Sequence, residues 1–216
     1  MYIDYLPLLI VPRDRVNYNE KKRKTSISPH RASELMESRE KKDEVKMNVS
    51  DAIRLKRAVR KFQDTPLPDD VVRAILNAGR RSQSSKNTQA WKFMAIRDKE
   101  ILKELSTCGE WAGHLAGAAL AVAILTPDPT EKFQIMFDAG QAAAFMQLAA
   151  WELGVGSVPA SLYEFEKSRG ILGFPAEWHL RIALSFGYPQ EAEKLSAPPQ
   201  KGGRAAFEDV VHWEKW

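Results

Sequence analysis

Residues 132–154 read KFQIMFDAGQAAAFMQLAAWELG. Between Lys132 and Glu152 the one charged side chain is Asp138, and the 13 residues from Ala139 to Trp151 contain no Asp, Glu, Lys or Arg. Alanine, leucine, methionine and glutamine are good helix formers, and a glycine just past a periodic run is a common helix stop. The stretch therefore predicts one long helix over Lys132 to Leu153, closed by Gly154. Its segment Ala142 to Trp151 is uncharged on every face, and a helix apolar all round has to be enclosed by protein. In a chain of 216 residues that leaves a central core helix of a monomer or a helix buried between two copies. Periodicity does not choose between them.

Outward from this helix the pattern alternates between helical and extended. Ser50 can cap a helix carrying Ile53 and Leu55, and Asp69 can cap a second whose Val72, Ile75 and Leu76 share one face before Gly79. Lys92 to Arg97 reads as a strand, and Asp98 opens a helix with Ile101, Leu102 and Leu105 inward. Ala118 to Leu125 is a small-residue apolar strand or helix end. Glu164 to Leu172, closed by Gly173, is a further helix. From His179 to Phe186, Leu180, Ile182, Leu184 and Phe186 alternate onto one face, which predicts a strand before the turn Gly187-Tyr188-Pro189. The class expected from this order is α+β.

Composition narrows the function. The chain is 44% apolar and 28% charged, enough to offset the ordering entropy of a packed core, so disorder throughout is excluded. Cys108 is the single cysteine, which excludes a disulfide scaffold and a cysteine zinc site. The longest stretch free of Asp, Glu, Lys and Arg is Trp111 to Pro127, 17 residues interrupted by small residues and His114, ahead of the run 139–151. No membrane span is expected, and a cytoplasmic location follows as an expectation. The net charge of +4 sits mostly in residues 1–46, which hold 11 Lys/Arg against 8 Asp/Glu. That leaves 21 against 20 for residues 47–216, so no basic face for nucleic acid is expected.

Residues 1–46 are expected to form a charged arm with its densest basic patch at Lys21-Lys22-Arg23-Lys24, and residues 47–216 the folded domain. A run of Lys, Glu, Arg and Ser without apolar periodicity is the composition of a solvated tail. The run Tyr5 to Pro12 is preceded by Asp4 and broken by prolines, unlike a secretory signal. Met47 is a possible translation start. A chain beginning there is expected to fold and work like the full one.

Three separated segments carry recognisable chemistry. Lys56-Arg57-Ala58-Val59-Arg60 places three cations within five residues at a helix end, a composition suited to gripping a phosphate or carboxylate, although a solvated basic face looks the same. Gln83-Ser84-Ser85-Lys86-Asn87-Thr88-Gln89-Ala90-Trp91 is a run of small polar donors and acceptors leading into a strand. Such groups suit the amide edge of a planar ring, and ordinary loops also contain them. Lys201-Gly202-Gly203-Arg204 supplies late cations where glycine lets the backbone approach closely.

In this order and spacing the segments resemble the FMN-dependent nitroreductase family. Lys56 to Phe62 is similar to that family's opening pattern of two Arg, Ser, any residue and Arg, with an aromatic two residues later. Gln83 to Trp91 resembles Pro-Ser-Ser-x-Asn-x-Gln-Pro-Trp. Asp138-Ala139-Gly140 with Leu153-Gly154-Val155-Gly156 looks like its central helix, and Gly187-Tyr188-Pro189, Arg204 and Phe207 to Trp213 like its C-terminal signature. The likeness covers Met47 to Trp216.

The resemblance implies a nitroreductase-like α+β fold: a central antiparallel-rich sheet flanked by helices, with the long buried helix at a homodimer interface and FMN bound there. Around the FMN phosphate and ribityl chain it would place Lys56, Arg57, Ala58 and Arg60, with Arg204 completing the phosphate clamp. Gln83, Ser84, Ser85 and Asn87 would line the ring and ribityl tail from the same chain or the partner. Pro159, Ala160 and Ser161 would run past the isoalloxazine, where a main-chain donor tunes the flavin. The implied activity passes a hydride from NAD(P)H through FMN to a nitroaromatic, quinone or similar small acceptor, with no catalytic side chain and no metal. A reductive dehalogenase, a flavin-consuming enzyme or a non-catalytic FMN-binding module are the alternatives on the same fold. Lys56 for Arg, Ala58 for Ser, and Gln83 and Ala90 for two prolines depart from the pattern and bear on affinity. Trp111, His114 and Phe133, in the stretches that would cover the flavin, are the visible acceptor contacts, and each could equally be core or loop filler.

Overall fold

The computed structural model describes residues 47–130, 132–195 and 203–216. Expectations about residues 1–46, Lys201 and Gly202 lie outside the described residues. The elements in chain order are α1 (Val49–Leu55), α2 (Asp69–Arg80), β1 (Lys92–Ile96), α3 (Lys99–Leu105), β2 (Leu120–Thr126), α4 (Gln134–Glu152), β3 (Gly156–Ser161), α5 (Phe165–Leu172), β4 (His179–Gly187) and α6 (Phe207–Val210), with short 3-10 turns between some of them. The sheet runs β1-β2-β4-β3, antiparallel at every pairing. The α+β expectation is met.

Strand β2 positions everything else. It lies inside the sheet, and every residue from Leu120 to Thr126 is buried, so its two faces feed two cores. Leu120, Val122 and Ile124 join Val72 and Ile75 of α2 and Ala142 and Met146 of α4 on one side. Ala121, Ala123 and Leu125 join Leu102 and Leu105 of α3, with Leu162 and Phe174, on the other. No helix among the described residues is long and apolar enough to cross a membrane.

Four details differ from the sequence reading, each for a local reason. The cap of α1 is Asn48, whose side-chain oxygen accepts the Asp51 N–H at 2.9 Å, so Ser50 lies inside the first turn. Helix α2 runs through Gly79 to Arg80, because a glycine there lets α4 approach: a Cβ on Gly79 would stand 2.6 Å from Met146 Cε. Leu180 faces the core opposite to that of Ile182, Leu184 and Phe186. A register shift pairs Ile124 with Ile182 but Leu125 with Leu180, so Arg181 is an extra residue in β4, and one extra residue flips the face of those before it. Finally, Gly156–Ser161 is a strand although it contains Gly, Pro and two Ser. Its place at the sheet edge accommodates Pro159, which has no N–H to offer a further strand.

The other boundaries agree with the sequence. Asp98 caps α3 by accepting the N–H groups of Glu100 and Ile101, both at 3.0 Å. The long helix occupies Gln134–Glu152 and unwinds into Gly154 at φ +72°, a conformation that costs other residues strain.

Candidate functional site

The chain leaving α1 forms the first wall of the site. Arg57 turns back on its own helix, its Nη1 donating to the carbonyls of Arg54, Leu55 and Lys56 at 3.0, 3.0 and 3.3 Å, which satisfies orphan carbonyls at the helix end. Lys56 is half-buried beside it, and burial lowers its pKa from the usual lysine value. The next residues dock on the sheet edge. Ala58 makes a parallel bridge with Ser157, and the Val59 N–H donates to the Ser157 carbonyl at 3.2 Å. Gly156 permits this contact, since a Cβ there would lie 2.7 Å from the Val59 side chain. The docking of the 58–59 segment on β3 brings Arg60 to Pro159, two positions beyond Ser157 on that strand.

Arg60 and Pro159 share a cleft of about 470 Å³ with Lys61, Glu110, Trp111, Gly113 and His114. Pro159 lines the cleft while its neighbour Ala160 packs inward at 1% exposure. His114 is half-buried, with Nδ1 2.9 Å from Ser185 Oγ. Burial and then the positive charge of Arg60 hold its pKa below the ordinary imidazole value, against a smaller opposing pull from a Pro159 backbone hydrogen bond.

The polar loop lies in a second cleft of about 640 Å³, which Ser85, Lys86, Thr88 and Ala90 line together with Asp128, Gln134 and Ile135. Its anchor is Asp138, 3% exposed in α4, whose Oδ2 accepts the Ser85 N–H at 2.8 Å. Ser84 Oγ accepts the Gln89 N–H at 3.0 Å. Between these ties Lys86, Asn87 and Gln89 hold positive φ of 52°, 54° and 48°, a region that non-glycine residues enter only under constraint. Asn87 Oδ1 accepts from Gln89 Nε2 at 3.2 Å.

Within one chain the two groups of residues thus stay apart. The structure gathers Arg60 and Pro159 in one cleft, beside the Ala58–Ser157 bridge, and Ser85 with its loop in the other. Gln83 is exposed, as is Arg204, which lines neither cleft. Two residues that sequence reasoning did not assign to the site prove structurally central: Asp138, which holds the loop, and Ser185, which holds His114. Asp138 was traceable as the lone acid in an otherwise uncharged run; Ser185, inside an apolar strand, carried no such signal.

The donor set suits an anionic flavin mononucleotide. The exposed cations Arg60 and Lys61 line a proline-edged, partly aromatic cleft, and a strained loop presents small polar groups elsewhere. No group of three or more His, Cys, Asp or Glu that could hold a metal occurs among the described residues.

The chain belongs to the nitroreductase family, whose model matches residues 53–108 and 108–188. A protein of Methanothermobacter thermautotrophicus provisionally named NADH dehydrogenase/NAD(P)H nitroreductase is 28% identical over 178 residues, covering 79% of this chain and 89% of that protein. Among solved structures, an FMN-dependent nitroreductase from Clostridium difficile superposes with a TM-score of 0.64 at 26% identity, covering 74% of this chain and 96% of that one. An NADPH:FMN oxidoreductase from Vibrio harveyi, complexed with NAD+, shares the fold at a TM-score of 0.69 and 22% identity, over 77% of each chain.

Proposed function

We propose that this chain is an FMN-dependent oxidoreductase that takes hydride from NAD(P)H and passes it to a small planar acceptor, and that it works as a homodimer. The observation carrying the reading is the separation of a cationic, proline-edged cleft from a strained polar loop, each holding residues that the family resemblance assigns to the flavin. In a dimer the Arg60 cleft of one subunit would face the Ser84–Asn87 loop of the other. The bound flavin would supply two-electron hydride transfer, so the chain itself has to bind, orient and exclude water.

Each residue has a role consistent with its surroundings. Lys56, Arg57 and Arg204 offer charge to the phosphate, and Ala58, where the family pattern has Ser, contributes main-chain atoms only. Arg60 sets a fixed positive charge beside the ring, which favours electron gain there. Pro159 to Ser161 form the edge along which the ring lies, and Ser84, Ser85 and Asn87 supply neutral donors and acceptors to its polar rim and tail. Residues 47–216 suffice for these roles, with residues 1–46 contributing charge alone.

Flavin identity is the direct test. Flavin released from the purified protein is expected to chromatograph as FMN. FAD, or failure to take up FMN, would overturn the reading. Arg204→Ala and Arg57→Ala are each expected to raise the FMN dissociation constant roughly 10- to 100-fold, the loss of a charge-assisted hydrogen bond of about 1.5–3 kcal/mol. Arg23→Ala should leave it unchanged.

The dimer has its own support. Phe137, at 69% exposure, and Phe145, at 43%, lie exposed on α4, with Ala144 beside them. Their spacing places them on one side of the helix, an apolar face that water should not see. Because Ala144 is exposed in the single chain, glutamate there leaves the monomer fold intact but would put an unpaired carboxylate into an interface. Ala144→Glu is therefore expected to give a folded monomer with lost flavin in sedimentation and absorbance. An unchanged dimer would remove α4 from the interface.

A further inference from the structure

The cleft beside Pro159 contains a proton-binding group that hydride transfer does not require. His114 Nδ1 is 2.9 Å from Ser185 Oγ, and the Ser185 hydroxyl donates to the Val158 carbonyl at 3.3 Å. Ser185 is fully buried and has one hydroxyl proton, which either the Val158 carbonyl or His114 Nδ1 accepts. In either tautomer the neutral imidazole keeps one lone pair that gains a proton on acidification.

The surroundings are unbalanced in charge. Arg60 and Lys61, from the segment after α1, and Glu110, from the loop after α3, are the other ionisable groups lining the cleft; β3 and β4 add the Pro159 carbonyl and the Ser185 hydroxyl. Two cations face one acid, next to an imidazole kept neutral by burial and by Arg60. At the same cleft Trp111 is 75% exposed, leaving an aromatic surface open. An anion entering here would offset the excess charge and favour the imidazolium, and a flat ring attached to it could cover Trp111.

We propose that the cleft selects planar aromatic acceptors bearing a carboxylate, with His114 as the specificity-determining residue that pairs with the carboxylate and Trp111 as the stacking surface. The proposal rests on the oxidoreductase reading for what happens to the acceptor, but the recognition step stands apart from turnover. Binding of such an anion draws a proton onto the imidazole, so affinity rises as the pH falls through the His114 titration. A neutral aromatic of the same shape has no such dependence.

The test uses the full-length protein with its flavin oxidised and no nicotinamide present, so that nothing turns over. Dissociation constants for 4-nitrobenzoate and 4-nitrobenzamide are measured from about pH 5.5 to pH 8.5, and the His114 ring proton is titrated by NMR with and without each probe. Nitrobenzoate is expected to tighten about tenfold towards low pH and to raise the His114 midpoint, while nitrobenzamide does neither. His114→Gln, which keeps a polar side chain without a titration, should flatten the nitrobenzoate profile, and Trp111→Ala should weaken both probes alike.

Parallel profiles for the two probes, pH dependence surviving in His114→Gln, or a His114 midpoint unmoved by nitrobenzoate would each overturn the proposal. So would a midpoint that NADP+ raises and nitrobenzoate does not, which would assign the anion site to the dinucleotide. Flavin content of the same sample keeps the two readings separable: absent flavin overturns the oxidoreductase reading, and the His114 midpoint still decides the carboxylate site. Should His114→Gln misfold, the wild-type NMR titration decides alone.

Discussion

Gly109→Ala is expected to lower the stability of the domain by about 3 kcal/mol or more and to strip the Arg60–Pro159 cleft of its outer wall. A Cβ at Gly109 would run into the Ser161 carbonyl oxygen, a backbone atom that no rotamer change can move. The loop cannot slide away easily, because the Cys108 carbonyl accepts the N–H groups of Tyr163 at 2.8 Å and Glu164 at 3.2 Å. Either those bonds break or the end of β3 shifts. Glu110, Trp111, Gly113 and His114 follow directly in sequence and line the cleft with Pro159, so both outcomes displace them. For a domain of this size the loss corresponds to a fall in melting temperature of roughly 10 °C. Urea melts and flavin content check it, with Gly117→Ala as control, since a Cβ there meets no atom within 4 Å. Equal stability of the two variants would show that the 108–109 loop is more pliable than its hydrogen bonds imply.

Asp138→Ala should act on the opposite half of the site. Its carboxylate is buried and holds the Ser85 N–H, and removing it leaves that donor unpaired at the start of a loop with three left-handed residues. A hydrogen bond to a charged group contributes about 1.5–3 kcal/mol, and each strained residue costs on the order of 1 kcal/mol, so the loop is held in its shape largely by this tie. The expected result is a loop released from its strained form and flavin affinity reduced at least about tenfold, with thermal stability falling by a smaller margin. Asp138→Asn, whose amide oxygen can still accept, should retain most of the affinity. Identical flavin binding in wild type and Asp138→Ala would mean that the loop keeps its shape through the Ser84–Gln89 tie alone, or does not touch the flavin.

These two effects show where sequence reading stops. Helix α4, the cap at Asp98 and the strands β1 and β4 were legible because each depends on neighbours along the chain: helix-forming runs, a side chain reaching its own backbone, alternating apolar residues. Ala118 to Leu125, apolar without alternation, read equally as a strand or a helix end, and pairing on both sides makes it β2. Strand β3 was not, since Gly-Ser-Val-Pro-Ala-Ser has turn-like composition and becomes a strand only by pairing with β4 at the sheet edge. The flipped face of Leu180 follows from a register shift against β2, which no periodicity within β4 reveals.

The candidate site divides in the same way. Residue types and spacing at Lys56 to Arg60, Gln83 to Trp91 and Arg204 determined the chemistry on offer, because charge, hydrogen-bonding capacity and the absence of a Cβ belong to a residue wherever it lies. The tertiary structure decided the partnerships: Arg60 with Pro159 and His114, Asp138 with Ser85 across 53 positions of sequence, and Ser185 with His114 across 71. Contacts at such separations arise when the two cores close around β2, and their geometry depends on strand order and register rather than on any local stretch of chain.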